Sequence, residues 1–152
     1  MQAVWARWPQ WLPRLYLGLI FAIAAVSKVV AGVGFVMILQ GFLTHVALEA
    51  GFPFYRALVT GVFLPHLPLF AGLVVVGEVY VAAAMLGGFT LRVAALVAIA
   101  LLANYLCAKG LSPYAPSSND AADIVLALVV FGTASRNVVV FGTASRTFSE
   151  AS

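Results

Sequence analysis

Between Leu67 and Gly88 the chain is an apolar run containing a single acid or base, Glu78. A helix crossing hydrocarbon about 30 Å thick needs roughly 20 such residues, so this stretch has the length of a membrane span. An ionisable group near its centre is costly in lipid, and it reads as functional or as fixing how helices pack. Composition extends the argument to the whole chain. Hydrophobic residues make up 64% and charged residues 9%, and mean hydropathy is +1.08, against about 45–50% apolar and about 25% charged in soluble domains. The expectation is an all-α integral membrane protein.

With 152 residues, one domain of about four spans fits. We place spans at about 12–33, 67–88, 91–108 and 119–135, making a four-helix bundle over 1–136. Trp5, Trp8 and Trp11 precede the first span as interfacial aromatics, and Pro13 suits a first helical turn. This run is long for a signal peptide and has no clear small-x-small cleavage site, so it reads as a retained span. From 34 to 65, Gln40, His45, Glu49, Pro53 and Arg56 break the apolar sequence, with Gly41 and Gly51 as interruptions. Pieces of that length are too short to cross and predict short interfacial helices between the first and second spans. The stretch Lys109 to Asn119 reads as a loop, and Ser118-Asn119 as a cap on the fourth span.

Lys and Arg are spread singly, which excludes a nucleic-acid surface. Arg7, Arg14, Arg92, Arg136 and Arg146 fall on one side of the four spans and Lys28, Arg56 and Lys109 on the other. The bias predicts both termini in the cytoplasm of a bacterial inner membrane. The 137–152 tail contains a duplication: Val129 to Arg136 recurs as Val139 to Arg146. Its ten-residue period matches no common repeat architecture, leaving a local duplication or a docking tail. Cys107 is the one cysteine, which excludes an internal disulfide and a CxxC redox pair.

Small residues four apart, Gly18 with Ala22, Ala83 with Gly87, Ala84 with Gly88 and Ala94 with Ala98, predict close helix packing. Each span also contributes one polar residue: Lys28, Glu78, Asn104 and Asp123. At about 1.5 Å rise per residue all four fall in the outer half of the bundle, with Glu78 near the midplane. One reading makes them a register device, with Lys28 paired to Glu78 or Asp123 and Asn104 completing the hydrogen bonds. The other makes them a polar pocket for a quinone or lipid head group or a small anion, with Glu78 as candidate proton carrier. Asp120 and Asp123 fit the helix dipole better than a metal site, and His45 and His66 lie too near the interface to ligate haem within the bundle. No metal and no covalent cofactor is expected. Tyr16, Tyr80 and Tyr105 read as packing or belt residues.

Three stretches carry a family resemblance: Arg14-Leu-Tyr-Leu-Gly18-Leu-Ile-Phe21 through Lys28, Gly77-Glu78 through Leu86-Gly87, and Thr90-Leu-Arg92-Val-Ala-Ala. With Asn119 and Asp120 opening the last span, the chain resembles the DoxX-like (DoxX/DoxD) family of small four-helix membrane proteins up to about Arg136. It departs in residues 34–65 and in the duplicated tail. The resemblance implies membrane redox complexes and quinone-linked oxidation of thiosulfate, and by motif position it singles out Lys28 and Glu78. Haem ligands, a cysteine pair and a dinucleotide signature are all missing. The expected function is therefore a non-catalytic accessory subunit of a larger respiratory or photosynthetic electron-transfer complex. Its expected partners are membrane lipids and other membrane protein subunits. The alternative is a quinone-linked oxidoreductase subunit acting on a small reduced sulfur compound.

Overall fold

In a computed structural model of the chain, the described residues are 8–50, 52–109 and 120–134, and they are helical almost throughout. Helix α1 is Trp8–Ala31. Helix α2, Val33–Gly41, continues as a π-helical segment, Phe42–Ala47, and a last turn, Leu48–Ala50. Helix α3, Pro53–Leu58, likewise widens into a π-helical segment, Val59–Phe63. Helices α4 and α5 are Leu67–Gly87 and Leu91–Lys109, and α6 covers 120–134. The stretch Trp11–Ala31 of α1, together with α4 and α5, is long and apolar enough to cross a membrane, whereas Val33–His45 is apolar but shorter. Trp5, the 137–152 tail and the expected Lys109–Asn119 loop with its Ser118-Asn119 cap lie outside the described residues, except for Lys109, which is still helical at the end of α5.

Helix ends follow local chemistry. Proline starts α3 and α4, where the missing N–H has no helical partner to lose. Gly88 ends α4 at φ 78 and donates its N–H to Ala84 O at 2.9 Å, the left-handed cap that glycine adopts without penalty. Thr90 also has positive φ, 44°, which costs a β-branched residue. Its hydroxyl is 2.9 Å from that of Tyr80, a bond that offsets part of the cost.

Two local expectations are corrected. Pro13 sits inside α1 because the helix starts five residues earlier, at Trp8. The chain breaks at Gly32, with φ 53, and not at Gly41, through which helix continues into the π-helical segment. Each π-helical segment contains a threonine bonded back to earlier carbonyls: Thr44 to Gln40 O at 2.9 Å and Thr60 to Arg56 O at 3.0 Å. Such bonds compete with the backbone ladder and bend helices.

Helices α1 and α4 are antiparallel. Gly18 faces Leu86 and Met85 at one end, and Lys28 meets Glu78 towards the other. Leu17, Phe21, Val81, Ala84, Met85, Ala94, Ala98, Ala127 and Val130 join α1, α4, α5 and α6 in one core, the four-helix bundle. Lipid gives apolar side chains no burial incentive, so close approach at Gly18, Ala84, Ala94 and Ala98 supplies the cohesion. Ala83 and Gly87 of the small-residue pairs face outwards. The α2–α3 segment covers the Lys28 end of the bundle, packing Leu43, Tyr55 and Val59 against Leu67 and Ala108.

Candidate functional site

Glu78 is fully buried, at 0% exposure, and its neighbours explain how the bundle accommodates it. Lys28 Nζ donates to both carboxylate oxygens, at 2.7 and 2.8 Å. The Tyr105 hydroxyl donates to Oε1 at 2.6 Å. Antiparallel α1 and α4 place Lys28 opposite Glu78, while α5 returns along α4 and brings Tyr105 to the same level. A buried carboxylate with three charge-assisted bonds is a satisfied group.

Beside this triad, under α2 and α3, lies a cavity of about 280 Å³. Phe35, Ile38, Leu39, Phe42, Leu43, Phe70 and Val74 form its apolar wall, and Lys28, Tyr55, Asn104, Tyr105 and Lys109 its polar end. The first π-helical segment supplies Phe42 and Leu43; π-helical turns often mark functional sites because they re-aim side chains. Tyr55 donates to Asn104 Oδ1 at 2.8 Å. Burial, ahead of the nearby Cys107, pushes the Tyr55 phenol up to about 12, so it remains a donor at physiological pH. Phe52 N–H donates to Cys107 O at 3.3 Å, tying the start of α3 to α5.

Lys109 Nζ bonds Asp120 Oδ2 at 3.0 Å. Lys28 and Lys109 each lie 5.9 Å from the centroid of the Tyr105 ring. Each cation at the polar end thus has its own carboxylate, and the end is formally neutral. It is nevertheless rich in donors. An ammonium has three N–H groups, and those beyond the bonds to Glu78 and Asp120 remain available. Asn104 Nδ2 has no hydrogen-bond partner among the described residues.

Of the four polar residues singled out in the sequence, Lys28 and Glu78 are paired, and Asn104 shares the cavity with Lys28. Glu78 reaches the cavity only through Lys28 and Tyr105, since it is not part of the wall. Asp123 does not join them: it is buried beside Tyr16 of α1, because α6 presents Asp120, one turn earlier, to Lys109. Sequence reasoning missed Tyr105 as a partner of Glu78 and Lys109 as a partner of Asp120. The spacing Leu101, Tyr105, Lys109 puts all three on one face of α5 and was the available signal. Tyr55 carried none, because its bond to Asn104 depends on how residues 33–63 fold back.

A scan of protein-family models finds none that matches the chain, and searches of curated proteins and of solved structures return no match.

Proposed function

We propose that this protein is a small membrane subunit that holds a lipid-soluble molecule with a carbonyl-bearing head group, of the quinone type, within an electron-transfer assembly. The observation that carries the reading is the donor-rich, formally neutral end of the apolar cavity. Neutrality disfavours a phosphate or carboxylate, whose charge would be left uncompensated in an apolar site. Surplus N–H groups from Lys28, Lys109 and Asn104 favour carbonyl acceptors, and the aromatic walls suit a planar ring. On this reading, electrons come from a partner subunit. Faces for such partners are plentiful: Leu19, Ile23, Val26, Leu69, Leu73, Val76, Val93 and Leu96 on the three candidate spans are exposed. On this reading the cavity end of the bundle faces outwards and both termini are cytoplasmic in a bacterial inner membrane, as the Lys and Arg distribution suggests.

The resemblance to DoxX-like proteins supports a second reading, a quinone-linked oxidoreductase subunit acting on a small reduced sulfur compound. The Tyr105–Glu78 bond favours it, since it links a cavity wall to the candidate proton carrier. One experiment decides between them. The protein is extracted from its own membrane in mild detergent and separated under native conditions, and everything that migrates with it is identified. Stoichiometric redox subunits support the accessory reading. A homo-oligomer carrying quinone and reduced by thiosulfate supports the oxidoreductase. A protein free of both quinone and redox partners contradicts both.

A further inference from the structure

The cavity is at the small end of ligand pockets, which run from about 300 to 1,000 Å³. It has room for a head group and little else, so the tail of a lipid-soluble molecule has to leave it. Among the described residues, two hollows adjoin it. One, of about 350 Å³, lies between α1, α2 and α4 and shares Lys28 and Phe35 with the cavity. The other, of about 300 Å³, lies between α4 and α5 and shares Phe70, Val74 and Asn104.

The way to the first is bordered by a charge: Lys28 Nζ is anchored on Glu78 and sits 5.6 Å from the centroid of the Phe35 ring, a poor surface for an apolar tail to cross. The second is lined by apolar groups apart from Asn104, which lines both cavity and groove. At Gly77 the two helices come close, since a Cβ there would lie 3.2 Å from Leu101 Cδ1. Leu73, on its rim, is 61% exposed and opens it towards lipid.

We infer that the ligand carries one apolar tail, which leaves the cavity past Asn104 and lies in the α4–α5 groove over Leu73, Val97, Ala100 and Leu101. The ligand therefore enters sideways from the bilayer. This rests on reading the cavity as a head-group site, and the test separates the two claims. Two probes are used on the purified protein in nanodiscs: tail-less benzoquinone, and a benzoquinone whose alkyl tail bears a diazirine near the ring. The expected result is that both bind and that photolysis labels the Val97–Leu101 stretch of α5. Ala100→Phe, at an exposed position, fills the groove; it should lower α5 labelling several-fold and leave binding of the tail-less probe unchanged. Gly72→Phe, in the other hollow and with nothing within 4 Å of its added Cβ, should change neither. Label between Val29 and Val36, or labelling sensitive to Gly72→Phe and not to Ala100→Phe, overturns the groove assignment alone. Failure of both probes to bind overturns the head-group site with it.

Discussion

Removing one member of the Lys28–Glu78–Tyr105 triad should cost different amounts depending on which group is left behind. The Glu78 side chain is 1% exposed and that of Lys28 19%, so the stranded carboxylate is worse placed than the stranded ammonium. Breaking a buried pair by deleting one partner costs about 3–5 kcal/mol. Lys28→Met should lie at the upper end of that range, since it leaves Glu78 with only Tyr105. Glu78→Leu should lie at the lower end, because the Lys28 ammonium can turn to the cavity, although the Tyr105 hydroxyl is also orphaned. Glu78→Gln keeps an acceptor for Lys28 or Tyr105 and should cost about 2 kcal/mol, near the value of a charged hydrogen bond. The double variant Lys28→Met with Glu78→Leu removes both charges. It should cost less than the sum of the Lys28→Met and Glu78→Leu single changes, giving a coupling of about 2–3 kcal/mol, the upper part of the range for contacting residues. Reversible unfolding by SDS in mixed micelles, followed by circular dichroism, measures all four. Additive costs, or a Lys28→Met variant no less stable than Glu78→Gln, would refute the idea that the triad is a coupled buried unit.

Other expectations concern packing, the cavity and proton handling. Gly18→Val should loosen the α1–α4 contact, because even a Cβ would sit 2.8 Å from Leu86 Cδ2 and 3.2 Å from Met85 Cβ; overpacking of this kind costs about 1–3 kcal/mol, readable in the same SDS titration. Tyr55→Phe should cost about 1 kcal/mol through its bond to Asn104, and its effect should depend on pH. The folded-state phenol, raised to about 12, lies above the unfolded value of about 10, so its contribution is complete below about pH 10 and lost as pH rises through 12. The stability gap between wild type and Tyr55→Phe, which cancels the titration of other groups, should narrow over that interval; a gap constant with pH contradicts this. If Glu78 carries protons for quinone turnover, Glu78→Gln should assemble and lose that turnover, and full activity in an assembled variant would exclude the role.

Much of the bundle was legible in the sequence because lipid imposes a simple rule: long apolar runs must be helices that satisfy their own backbone. Glu78 announced itself by standing alone in such a run, and Lys28 by being a suitably placed cation. The stop at Gly88 follows from glycine chemistry. Residues 33–63 were legible only as short apolar helices. The shift to π-helical winding at Phe42 and Val59 depends on competition among nearly equal hydrogen-bond patterns, which neither composition nor periodicity encodes. The cavity depends on that winding, so Tyr55 and the aromatic wall stayed invisible. Asp123 misled for another reason: spacing along a helix gives depth but not azimuth, and α6 presents Asp120, not Asp123, to the neighbouring lysine.

The central claim is that the neutral, donor-rich end of the cavity holds a carbonyl-bearing head group, and ligand retention tests it most directly. Wild type and Asn104→Leu, which removes the amide donor at similar volume, are purified side by side in mild detergent, shown to be equally folded, and extracted for quantification of bound lipid-soluble molecules. The account predicts about one quinone-type molecule per wild-type chain and its loss from Asn104→Leu. Equal retention by the two proteins, or wild type that carries only bulk phospholipid, would contradict it.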